Sequence, residues 1–141
     1  MLAFCEILKI EKMIVAFLLG TILISGGLFF NRNTFVNYFL LAIYLMLLWI
    51  FGIYEYKHLN LTEFVYFTPD ALGVIMLSLV CVLSIPAIFH GYRYIVIRGD
   101  GAQSRAIFFS AMVFLISACG MAYLSNHIAV TWIFVEITTL S

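Results

Sequence analysis

An all-α, polytopic membrane bundle of about five transmembrane helices, the last one truncated, is the fold this sequence predicts. Three observations carry the prediction. The 141 residues are 65% hydrophobic and 10% charged, against about 45–50% and about 25% in a soluble domain. Mean hydropathy is +1.15. The apolar residues fall in long uncharged runs separated by short polar turns, the pattern of helices that cross a bilayer and return. Formal net charge is zero, so nucleic acid and acidic partners are not expected.

The first span is residues 13–30, which carry no charge and reach about 27 Å as a helix. Ahead of it lies an apolar stretch with Glu6, Lys9 and Lys12 at helical spacing. It reads either as a short interfacial helix or as an extension upstream of a start at Met13. No cleavable signal peptide is evident. Asn31-Arg32-Asn33 is too short for anything but an antiparallel return. The second span, 34–54, is again uncharged. Tyr38 and Tyr54 near its ends suit the aromatic belts, and Trp49 reads as lipid-facing or packed bulk.

Glu55 to Asp70 forms the first substantial loop. Its centre, His58 to Phe67, alternates partially and predicts a small hairpin. Thr68-Pro69-Asp70 then starts a helix, with Thr68 as cap, Pro69 at the first helical position and Asp70 favouring the positive end of the dipole. Asp70 is thus read as structural. The third span is 71–89, with Pro86 predicting a kink in its last turn. His90 to Arg105 reads as a second loop, with three arginines and a Gly99-Asp100-Gly101 turn.

The fourth span, 106–124, carries Ser110, Ser117, Ala118, Gly120 and Ala122. Small residues let helices approach closely, so it is predicted to lie inside the bundle. Ser125-Asn126-His127 turns the chain into the fifth span, 128–141. His127 reads first as a polar turn residue among headgroups, and second as a proton-relay group. The fifth span would be about 21 Å long, short of the roughly 30 Å to be crossed. That predicts a single membrane domain, 1–141, forming the N-terminal portion of a longer subunit. Cys5, Cys81 and Cys119 lie far apart in apolar runs and read as buried thiols.

The chemistry converges on Glu136. Counted from Ile128 it lies about 12 Å along the helix, near the middle of the hydrocarbon core. A carboxylate there costs several kcal/mol unless protonated, paired or hydrated, and marks a functional site by default. Trp132, four residues before, and Thr139, three after, share its face. Thr139 is placed to hydrogen-bond the carboxyl and Trp132 to pack. The plainer alternative is an interhelical polar contact without a transport role.

The run Thr131-Trp132-Ile133-Phe134-Val135-Glu136-Ile137-Thr138-Thr139-Leu140-Ser141 resembles the fifth membrane helix of the antiporter-like proton-translocating subunits. These occur in respiratory complex I, Mrp-type antiporters and membrane-bound group 4 hydrogenases. The Trp-x-x-x-Glu-x-Thr-Thr-Leu form looks most like the hydrogenase-4 branch of that family. Thr68-Pro69-Asp70-Ala71-Leu72-Gly73 resembles the start of the family's third helix. The resemblance implies about 14 membrane helices, with two inverted five-helix repeats that begin at the fourth. It also implies that Glu136 pairs with a lysine on a broken helix and modulates proton uptake. The lysine helix and the second repeat would lie beyond Ser141. The implied partners are other membrane subunits of a complex I-like or hydrogenase-like assembly, the lipid bilayer and protons. The implied location is the bacterial inner membrane.

Two other readings compete. One is a stand-alone small proton-coupled exporter, although such chains usually place their carboxylate in the first helix. The other is a purely structural membrane subunit or remnant. No catalytic triad, phosphate loop or metal-ligand set is visible, so neither enzyme chemistry within this chain nor a cofactor is expected.

Orientation follows from the basic residues. Lys9, Lys12 and Lys57 fall on one side, and Arg32, Arg93, Arg98 and Arg105 on the other. A start at Met13 would leave Lys57 alone against the four arginines, which puts the arginine side in the cytoplasm. A single cysteine at Gln103, in an otherwise cysteine-free background, is therefore expected to stay unlabelled by an impermeant maleimide in intact cells. Labelling there would reverse the orientation.

Overall fold

A computed structural model describes residues 2–31, 33–58, 66–99 and 101–141, without the side chains of residues 2–12, 34 and 96. The described residues form five helices: α1 (Leu2–Phe30), α2 (Thr34–Lys57), α3 (Ala71–Arg98), α4 (Ala102–Leu124) and α5 (Ile128–Leu140). Four of them are long and apolar enough to cross a membrane. The chain is an all-α bundle, as the composition predicts.

Each long helix turns one seam inward. On α2 the buried residues are Asn37, Leu41, Tyr44, Leu48, Phe51 and Glu55, spaced alternately four and three apart. On α3 they include Val74, Leu77, Cys81, Ser84, Ile88, Gly91 and Ile95, with the same alternation. This spacing keeps one face of a helix toward its neighbours in a left-handed bundle. The large apolar side chains on the remaining faces, such as Leu23, Phe35, Met46 and Leu83, stay exposed, as lipid-facing residues do. Trp49 is among them.

Helix α4 is central, packing against α1, α2, α3 and α5. Its small residues make that possible, as expected. Ser117, Ala118 and Gly120 are buried, and a Cβ on Gly120 would come within 3.1 Å of Leu77.

Several boundaries differ from those the sequence predicts. Helix α1 runs unbroken from Leu2, so the stretch before Met13 is not a separate interfacial helix. Helix α2 continues one turn past Tyr54. The expected loop from His90 to Arg105 is largely helix, because the inward seam of α3 carries on through Gly91 and Ile95. At about 42 Å, α3 outruns a bilayer's hydrocarbon core. Arg93 and Arg98 therefore ride on its exposed end. Pro86 lies inside α3 rather than in its last turn. Gly99 ends the helix in the left-handed conformation, φ 68°, its N–H donating to the Ile95 carbonyl at 3.2 Å.

At the other end of α3 the cap is Asp70, not Thr68. Its carboxylate accepts from the Gly73 N–H at 2.7 Å, and Pro69 precedes the helix. Thr68 instead binds the α4–α5 link, its N–H donating to the Leu124 carbonyl at 3.1 Å. Asn126 N–H donates to the Tyr66 carbonyl at 2.7 Å, and Phe67 and Ser125 form an antiparallel bridge. The α2–α3 and α4–α5 links thus lie on one side of the bundle and close one of the carbonyls left open at the end of α4. Most of the expected hairpin, residues 59–65, lies outside the described residues.

The start of α3 is pressed onto the end of α4 at Gly73, where a Cβ would lie 2.5 Å from the Tyr123 carbonyl oxygen. Gly73→Ala is expected to destabilise the folded bundle by about 1–3 kcal/mol through overpacking. Gly26→Ala, with nothing within 4 Å of the new carbon, is expected to be neutral or to stabilise by up to about 1 kcal/mol. Detergent-mixed-micelle unfolding of the two variants measures both.

Candidate functional site

The bundle interior holds a small set of polar side chains. Tyr44 of α2 is fully buried. Its hydroxyl lies 2.7 Å from Ser117 Oγ of α4 and donates to the Val113 carbonyl at 3.3 Å. Ser117 Oγ lies 3.3 Å from Thr21 Oγ1 of α1, and Thr21 donates to its own helix at Phe17. Nearby, Ser25 Oγ and Ser110 Oγ are 2.6 Å apart, joining α1 to α4 a second time. Cys81 Sγ contacts the Leu48 carbonyl at 3.7 Å and ties α3 to α2. With Tyr44 donating to Val113 and Thr21 to Phe17, the single Ser117 hydrogen serves Tyr44, the shorter contact, or Thr21.

Glu136 is not part of this interior. Helix α5 packs against α4 and no other helix, and none of its residues is buried. Glu136 sits on its exposed face with Trp132, which is 66% exposed. The expected packing of Trp132 is therefore absent among the described residues. Thr139 does not reach the carboxyl either. Its hydroxyl donates to the backbone carbonyl of Glu136 at 2.8 Å, a bond within one turn that a threonine makes without any partner helix. Helix α5 has 13 residues and spans about 20 Å.

His127 lies in the turn between α4 and α5. It is exposed, stands at the N-cap of α5, and accepts from the Ala129 N–H through Nδ1 at 3.3 Å. Its ring meets Tyr66 edge-on with centroids 5.4 Å apart. Asp70 caps α3, its carboxylate accepting from the Gly73 N–H.

Glu55 escapes the sequence pattern. A charge marks the end of the uncharged run, which puts this residue in a loop. In the structure it is 1% exposed, the last residue of the α2 seam. Neither carboxylate oxygen has a hydrogen-bond partner among the described residues. The four–three spacing from Asn37 through Phe51 is the signal that points to it.

Fold and site together define an integral membrane helical bundle with one carboxylate buried at an interior end and another on an outer helix. The chain matches no protein-family model, no curated protein and no solved structure.

The hydroxyl cluster has a measurable worth. Tyr44→Phe and Ser117→Ala are each expected to cost about 0.5–1.5 kcal/mol of folding free energy. The double variant is expected to fall short of their sum by about 0.6 kcal/mol, the usual coupling between membrane helices. Full additivity in mixed-micelle unfolding would show that the 2.7 Å contact contributes nothing.

Proposed function

We propose that this chain is a membrane subunit, or the N-terminal portion of one, in a redox-driven proton-translocating assembly, with Glu136 as its proton-coupling carboxylate. The supporting observation is the position of Glu136 on the uncovered face of α5. A carboxylate facing hydrocarbon is costly, and such residues face a bundle interior or a wet cavity and pair with other groups. In this reading the outer face of α5 is covered by further membrane helices, which bring a cationic partner to Glu136. The assembly is complex I-like or group 4 hydrogenase-like and resides in the bacterial inner membrane. Redox chemistry belongs to other subunits. Thr139 and His127 support the helix, Thr139 by bonding the Glu136 carbonyl and His127 by capping the first turn.

Proteoliposomes test the reading. The purified chain, with an internal pH dye and a potassium/valinomycin potential, is expected to pass no more protons than empty liposomes. Proton flux abolished by Glu136→Gln would instead make the chain an autonomous small exporter. In energised membranes carrying the whole assembly, Glu136→Gln is expected to slow pumping. Unchanged pumping would leave the chain a structural subunit.

A further inference from the structure

We propose that Glu55 is a proton-binding site, loaded through His58 from the side of the bundle that carries the α2–α3 and α4–α5 links. The proposal is independent of the role assigned to Glu136.

Glu55 closes the inward seam of α2, four residues beyond Phe51. Phe51 stacks on Phe17 of α1 with ring centroids 4.3 Å apart, so this end of the seam is apolar. Both carboxylate oxygens lack a hydrogen-bond partner among the described residues. Buried polar groups nearly always have one, and a carboxylate left bare in such surroundings is strongly disfavoured. Among the described residues nothing offsets the charge, so a ligand that removes it suits the site. A divalent cation is poorly served, because it takes several oxygen ligands. Among the described residues no three His, Cys, Asp or Glu side chains gather to supply them. A proton needs nothing beyond the carboxylate itself.

His58 supplies the route. It is the C-cap of α2, three residues beyond Glu55, and its backbone N–H donates to the Glu55 carbonyl at 3.2 Å. The imidazole is half-buried at the end of the helix. Its Nδ1 lies 2.9 Å from the Tyr54 carbonyl, and the ring stacks on Tyr54 with centroids 4.2 Å apart. A carbonyl only accepts, so Nδ1 carries the hydrogen and Nε2 keeps its lone pair in the neutral ring. Nε2 takes a proton from a hydronium ion, whose O–H bond breaks to leave water, and forms an N–H bond. That bond breaks as the proton passes along water to a Glu55 oxygen, leaving neutral imidazole and a neutral carboxyl.

Among the described residues, Tyr66 and His127 in the links are titratable groups at this end. Helix α2 carries Tyr54, Tyr56 and Lys57, and Asp70 begins α3. The α1 turn level with Glu55 carries Lys9, Glu11 and Lys12, whose side chains lie outside the described residues. On α4, the end nearest the links carries Tyr123.

Infrared difference spectroscopy of the full chain in lipid nanodiscs tests the proposal. At mildly acidic pH a protonated-carboxyl band is expected that persists in Glu136→Gln and vanishes in Glu55→Gln. In His58→Ala its hydrogen–deuterium exchange is expected to slow on the order of 10²-fold, the usual worth of a positioned proton carrier. Absence of a Glu55-dependent band, as an ionised Glu55 paired to a basic group would give, overturns the site. Exchange in His58→Ala at the unaltered rate overturns the route. If Glu55→Gln does not insert, Glu55→Asp must shift the band, and an unshifted band counts against the proposal equally.

Discussion

A hydrophobic bundle in lipid cannot rely on apolar burial to choose its packing, since acyl chains are as apolar as leucine. The contact that singles out one arrangement here is Tyr44 on Ser117. A phenol hydroxyl inside the bundle must find a partner. Ser117 supplies it while also reaching Thr21, so three helices meet at one oxygen. The Ser25–Ser110 pair lies one turn further along α1 and two turns back along α4. Two polar contacts at different heights fix the antiparallel register of α1 and α4. With that register set, the small residues of α4 fall opposite the bulk of α3, as Gly120 does opposite Leu77.

The two carboxylates stand in opposite relation to this core. Glu55 is enclosed by it and finds no donor among the described residues. Glu136 is carried outside it on a helix that touches α4 alone. Each is therefore incomplete in a different way. In the proposed reading, the enclosed group is completed by a proton and the outer one by a covering surface with opposite charge. The hydroxyl cluster needs neither, because its members bond one another or a backbone carbonyl.

The large features of the fold are legible in the sequence because hydropathy reports them directly. Uncharged runs locate four spans, and Ser117 and Gly120 mark α4 as interior. Element ends are less legible, since a charge reads as the end of a helix. Glu55 and Arg93 show why this fails. A helix keeps its hydrogen bonds whether or not it has left the hydrocarbon, and only the seam pattern or a residue such as Gly99 stops it. The site is half legible for the same reason. Glu136 stands out as a lone charge in an apolar run, whereas Glu55 is hidden at the edge of one. That Trp132 faces outward and Thr139 bonds its own helix is not readable, because helical spacing gives a shared face but not what lies across from it.

Helix α4 also decides how the two acidic sites can relate. One of its faces gives Ser110 and Ser117 to α1 and α2, and α5 lies against it from outside. Any exchange between Glu136 and the interior hydroxyls would have to pass through the body of α4, whose buried residues there include Phe109, Val113, Ile116 and Met121. No titratable side chain is among them. Any chemistry at Glu136 would belong to the outer surface of α5, and the chemistry proposed for Glu55 to the linked end of the bundle. The four long helices serve the first as a rigid mount and the second as an enclosure. Between Glu55 and Tyr44 on the α2 seam lie only Leu48 and Phe51, about 16 Å of apolar wall. A proton taken up at Glu55 therefore returns to the side it came from unless that wall admits water.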